Sequence, residues 1–192
     1  GKFAESEDYY RVAYEAARRA LGEAHPKTLL ALKNIAHAAE AQGRYAEAET
    51  LHRNALEANR RALGDDHPEV ASSKSALALA LRKQEKWDEA EMYSRESVEL
   101  RRRVLGDSRP ETLDGLITLA GLLSDRGRLD EAEALLREAL QRSEPMWGPD
   151  HPQRLVLLNN LGSLLVTAGR YEEAEPLLLE AVAARRRLSG TD

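Results

Sequence analysis

The chain contains no cysteine, which excludes a disulfide framework, a thiol nucleophile and a thiolate metal site. A reducing compartment is therefore permitted, and a cytoplasmic location is expected. No apolar run approaches the roughly 18 residues of a membrane span, and the N-terminus carries no secretory hydrophobic region, so no membrane partner is expected. A strong charge of either sign is also missing. The 28 basic and 33 acidic residues leave a formal charge of −5 and are interspersed, which gives no electrostatic reason to expect nucleic acid. Phosphate-loop, dinucleotide-fingerprint, His-Glu-x-x-His, nucleophile-elbow and calcium-loop patterns are all absent. An enzyme reading therefore has no residues to stand on, and no cofactor is expected.

What the chain does have is a repeat. Leu21-Gly22, Leu63-Gly64, Leu105-Gly106 and Trp147-Gly148 recur every 42 residues, and Pro26, Pro68, Pro110 and Pro152 follow in step. A period in the range of roughly 20–50 residues marks a solenoid or array, in which one supersecondary unit is copied and stacked on its neighbours.

Each period reads as two helices. Leu29, Leu32, Ile35, Ala36 and Ala39 recur at three- and four-residue steps and share one helical face. Pro26 suits the first turn, where its missing N–H would have no partner, and Gly43 can adopt the left-handed conformation that ends a helix. A second helix is predicted from about Tyr45 to Ala62, with Ala48, Leu51, Ala55 and Leu56 facing inward. The turn glycine returns as Gly127 and Gly169, whereas repeat two has Glu85 in its place, at a cost on the order of 1 kcal/mol if that residue takes a positive φ. Glu47-Ala48-Glu49, Glu89-Ala90-Glu91, Glu131-Ala132-Glu133 and Glu173-Ala174-Glu175 follow the turns. Their alanines must be small where two helices cross, and their glutamates suit a helix N-terminus.

His25, His67 and His151 precede the helix-opening prolines and read as connector residues one repeat apart, too distant to share an ion; His52 reads as packing or surface. The arginine clusters at 18–19, 60–61, 101–103 and 185–187 occupy last turns, where cations complement the helix dipole.

These residues resemble the tetratricopeptide repeat in its 42-residue, kinesin-light-chain-like form. The resemblance is carried by the Gly-x-apolar-x-Glu-Ala turn, the small Ala36, Ala78, Ala120 and Gly162, and the Leu-Gly-x-x-His-Pro connector. It implies an all-α, right-handed superhelix of antiparallel helix pairs, here a single array over 1–192. Residues 1–22 would be the second helix of a truncated repeat, and 23–64, 65–106, 107–148 and 149–190 would be four full repeats, giving nine helices. The truncated register suggests a segment of a longer protein whose N-terminal face around Phe3, Tyr10 and Tyr14 self-associates.

The resemblance further implies a protein-interaction module whose first helices line a concave groove for a peptide or partner protein. By register, the groove residues are Lys33, Asn34 and His37; Ser75, Leu79, Arg82 and Lys83; Ile117, Thr118 and Gly121; and Asn159, Asn160 and Ser163. Asn34 and Asn160 match the asparagine that many such repeats use to hold a ligand backbone. Lys33, Arg82 and Lys83 favour an acidic segment in the N-terminal half. The alternative is a scaffold or oligomerisation segment of a larger signalling protein, such as the tail of a bacterial regulatory ATPase or kinase.

Overall fold

The structure is a computed structural model that describes residues 2–189, with side chains from Glu7 onward. Its described residues form nine helices: α1 (Lys2–Leu21), α2 (Pro26–Ala41), α3 (Tyr45–Leu63), α4 (Pro68–Arg82), α5 (Trp87–Leu105), α6 (Pro110–Asp125), α7 (Leu129–Ser143), α8 (Pro152–Thr167) and α9 (Tyr171–Ser189). They divide into two compact units, Gly1–Val104 and Leu105–Asp192. Within each unit short turns fold successive helices back on one another, α1 to α4 in the first and α6 to α9 in the second.

The helix boundaries follow from the punctuation. Each of α2, α4, α6 and α8 opens on its proline. The histidines before three of those prolines are N-caps: Nδ1 of His25, His67 and His151 accepts from the backbone N–H of Lys27, Glu69 and Gln153 at 3.1–3.2 Å. This satisfies one of the donors that a helix start leaves without a partner. The buried Thr28 and Thr112 add a second tie, each donating its hydroxyl to the carbonyl of the connector glycine, Gly22 or Gly106, at 2.8 Å.

The turn within a repeat closes through two backbone bonds, Gly43 N–H to Glu40 and Arg44 N–H to Ala39, both 2.9 Å, with Gly43 at φ 74°. In repeat two the N–H groups of Glu85 and Lys86 make the equivalent pair, to Arg82 and Leu81, and Glu85 takes φ 59° to allow it. The backbone geometry is therefore kept although the glycine is gone.

The fourth connector differs from the others. Pro145 follows the early end of α7, which has 15 residues against 19 in α3, α5 and α9. Trp147 is buried and stacks flat on His151, ring centroids 4.9 Å apart. Gly148 does not share the positive φ of Gly22, Gly64 and Gly106.

Ala48, Ala90, Ala132 and Ala174 are all buried, as the crossing of paired helices requires. The core of the first unit is built on Ile35, Val70, Leu77 and Leu81, and that of the second on Leu113, Leu116, Leu123, Leu158, Leu161 and Leu165. In the second unit Gly162 allows a close helix contact: a Cβ there would stand 2.6 Å from Leu178 Cδ2.

Candidate functional site

In the first unit, α2 turns Lys33, Asn34 and His37 to a partly or fully exposed face, and Leu79, Arg82 and Lys83 are likewise accessible at the end of α4. Leu30 and Leu79 are 58% and 42% exposed, large apolar side chains left uncovered on these two helices. Between α2, α3 and α4 lies a cavity of about 440 Å³, whose lining includes Leu29, Leu30, Lys33, Ala55, Ser72 and Ala76. Apolar walls with a few polar groups are the usual make-up of a binding cleft. Lys33 is brought to this cavity, whereas Asn34 and Lys83 lie outside its lining. Buried Asn59, also in the lining, donates from Nδ2 to Ser73 Oγ at 2.9 Å and fixes the cavity wall.

Ser75 is placed differently from the other groove candidates. Its hydroxyl is 2.8 Å from Ser97 Oγ, which in turn donates to the Ala71 carbonyl at 2.7 Å, so Ser75 is engaged inside the α4–α5 pair. His37 Nδ1 lies 3.0 Å from Glu40 Oε2.

In the second unit, Ile117, Thr118 and Gly121 on α6 and Asn159, Asn160 and Ser163 on α8 are all at least partly accessible. The Thr118 hydroxyl bonds back to the Asp114 carbonyl at 2.9 Å within its own helix. Val156 and Val166 are exposed on α8 at 43% and 41%.

Of the aromatic residues expected at the N-terminal face, Tyr10 and Tyr14 are half-buried and Phe3 lies outside the residues whose side chains are described. Tyr9 and Val12, both 71% exposed, are large apolar side chains left uncovered there.

Many of the charges form a ladder between successive second helices. Glu7 accepts from Arg11, Gln42 and Arg44, and Arg11 reaches on to Glu47. One repeat later Glu49 accepts from Arg53, Gln84 and Lys86, and Arg53 reaches Glu89. The second unit repeats the scheme with Arg170 joining Glu133 to Glu173. Burial pushes the Glu49 carboxyl up, but the hydrogen bonds from Lys86, Gln84 and Arg53 outweigh it and bring its pKa down to about 2. The terminal arginines are also matched: Arg60 meets Asp65, Arg103 meets Asp66, Arg142 meets Asp107 and Arg187 meets Asp150. Besides complementing the helix dipole, these last-turn arginines are thus laced with connector carboxylates.

A family model described as tetratricopeptide repeat matches residues 1–53, 29–86, 69–144 and 116–187. The chain belongs to the tetratricopeptide repeat family. As a tetratricopeptide repeat array it is all-α and is similar to solved structures of kinesin-light-chain type. BtubC (BKLC) from P. vanneervenii is 24% identical, with a TM-score of 0.82 over 99% of this chain and 76% of that one. A putative kinesin light chain from Podosopora anserina with nearly identical TPR-like repeats is 23% identical, with a TM-score of 0.80 over 98% of this chain and 89% of that one. A singly substituted form of that protein gives 0.83 at the same identity and coverage. At such identities the likeness establishes the fold. No curated protein sequence matches significantly. Tetratricopeptide repeat domains are in general protein-interaction modules, and among the described residues no helix is long and apolar enough to cross a membrane.

Proposed function

We propose that this chain is a non-enzymatic module that binds an extended peptide or partner segment on the exposed face of its first helices, chiefly on α2 and α4 of the first unit. The observation that carries this reading is the cavity between α2, α3 and α4, where exposed Leu30 meets Lys33, Ser72 and Ala76. Its apolar walls suit one anchoring side chain of the ligand, and Lys33 on the rim favours an acidic neighbour. Asn34 supplies an amide for the ligand backbone one residue further on. The accessible Asn159, Asn160 and Ser163 support a comparable role for α8 within the second unit. The repeats form one array in this reading, and the cysteine-free sequence fits a cytoplasmic setting.

The test is a random-peptide display selection against the folded chain, with the double variant Lys33→Glu, Ala76→Arg as counter-selection. Convergence on one motif that the variant loses is expected. No convergence from a folded protein, or a motif the variant still binds, would overturn the reading.

One observation favours a second role as an oligomerisation segment of a larger signalling protein. Tyr9 and Val12 on α1, and Leu179, Val182 and Leu188 on α9, are exposed large apolar side chains on terminal helices. A mass in light scattering that rises with concentration would support that role, and a constant monomeric mass would contradict it.

A further inference from the structure

Behind the exposed face of α2 is a cluster that the repeat pattern does not require. His37 and Glu40 stand three residues apart on α2 and therefore share a side of the helix. His52 comes to them from α3. The Glu40 carboxylate lies between the two rings, Oε2 3.0 Å from His37 Nδ1 and Oε1 3.0 Å from His52 Nε2. The rings themselves meet edge to face with centroids 5.8 Å apart.

The equivalents of this cluster show that it is particular to one repeat. At the His52 position α1 carries Tyr10 and the later repeats Ser94, Leu136 and Leu178; at Glu40 the later repeats carry Arg82, Ser124 and Val166; at His37 they carry Leu79, Gly121 and Ser163. Residues without an imidazole therefore serve the packing at the His52 position in the other repeats, yet repeat one buries one, with the His52 side chain only 3% exposed. Burying such a polar group is unfavourable unless it is partnered, and here its partner is a carboxylate.

We propose that His37, Glu40 and His52 form a binding site for a divalent transition cation of the zinc class, with three protein ligands and an open fourth position toward solvent. Two imidazoles and a carboxylate are a donor set that such ions accept, and a three-ligand site leaves one coordination position for water. The separations suit the ion. Bonds of about 2.0–2.1 Å place the ligand atoms of a tetrahedral site roughly 3.3 Å apart; each ring nitrogen already lies 3.0 Å from one Glu40 oxygen, His37 Nδ1 from Oε2 and His52 Nε2 from Oε1. All three ligand atoms lie within 4.8 Å of one another. The remaining gap closes by rotation of the His37 ring, whose side chain is 50% exposed and free of the constraint that holds His52. The ion would sit among His37 Nδ1, His52 Nε2 and one Glu40 oxygen, in place of the two nitrogen-to-carboxylate hydrogen bonds. Each neutral imidazole would then carry its one proton on its other nitrogen. His25, His67 and His151 serve as internal controls, because their Nδ1 atoms are committed to helix capping.

The experiment is equilibrium dialysis of the untagged full chain against zinc chloride, paired with visible absorption on titration with cobalt(II) chloride. The wild type is expected to take up one ion per chain and to give the intense ligand-field bands of tetrahedral cobalt. His37→Ala alters an exposed side chain, so the fold should persist, as circular dichroism will show. It should weaken binding by more than the roughly 10–100-fold typical of losing an outer-shell partner. His25→Gln should bind like the wild type. Failure of the wild type to take up zinc, an unchanged affinity in folded His37→Ala, or an equal loss in His25→Gln would each overturn the assignment.

Discussion

The two units use one set of turns but fill their interiors differently. At the second-helix position occupied by His52 and Ser94 in the first unit, the second unit has Leu136 and Leu178. Nearly two turns into the first helices, repeat two of the first unit has Lys74, paired with Glu96 at 2.9 Å, where repeat one has the buried Leu32 and the second unit the fully buried Leu116 and Leu158. The first unit also buries Asn59 and Ser97, each in a hydrogen bond. The contrast teaches that prolines, connector glycines and the crossing alanines are enough to define the helix pairs. The side chains between those fixed points are then free to vary from leucine to hydrogen-bonded polar residues within an otherwise apolar core.

The largest expected effect comes from breaking the leucine interior. Leu158→Ala should cost about 2–5 kcal/mol, since it removes buried methylenes and leaves a cavity. At the same register in the first unit, Lys74→Ala should cost no more than about 1 kcal/mol, the range of a solvent-accessible ion pair. Denaturant unfolding of both variants measures the difference, and equal losses would mean that the two interiors are not distinct.

Gly162→Ala is expected to be the next most damaging change. Its new methyl would meet Leu178 Cδ2 at 2.6 Å and Cγ at 2.7 Å, and overpacking of this kind costs about 1–3 kcal/mol, only partly offset by the better helix propensity of alanine. The Leu178→Ser variant, which copies the Ser94 of repeat two, should make room for that methyl. A double-mutant cycle in unfolding free energy would then show favourable coupling between the two substitutions.

Glu85→Gly should stabilise the first unit by about 1 kcal/mol, because it relieves a non-glycine residue in the left-handed region. Its φ is 59°, while Gly43 and Gly127 sit at 74° in the same turn. The midpoint of thermal unfolding should rise, and an unchanged midpoint would mean that Glu85 has a compensating contact in the native state.

The smallest effect concerns the charge ladder. Glu49 has its pKa lowered from 4.5 to about 2, so its contribution is fully present above 4.5 and fades as the pH falls toward 2. Glu49→Gln should therefore lower stability by up to about 1 kcal/mol at neutral pH. The gap between wild type and variant should narrow in acid, and a constant gap across that window would show that the pairing is not its cause.

The fold is legible in the sequence because its punctuation is local. Proline, glycine and the three- and four-residue steps each act within a turn or two of helix, and α3, expected from Tyr45 to about Ala62, runs to Leu63. The ladder is not legible, because Arg11–Glu47 and Arg53–Glu89 join residues 36 apart through the stacking of successive repeats. Likewise the histidine caps can be placed in the connector but not assigned a hydrogen bond. The exposed candidates Lys33 and Leu79 follow from register, whereas the inward turn of Ser75 depends on Ser97, a residue of the next helix. His52 reads from sequence only as packing or surface. Its meeting with His37 and Glu40 depends on the α2–α3 crossing, although His-x-x-Glu followed by a histidine in a buried slot is the available signal.

The most direct test of the interaction reading is an amide and methyl NMR shift map of the chain titrated with a peptide selected on it. Perturbations centred on Leu30, Lys33, Ser72 and Ala76 are predicted, and they should disappear in Ala76→Arg. Shifts confined to Tyr9 and Val12 of α1, or to Leu179 and Val182 of α9, would contradict the groove and place binding on the terminal helices.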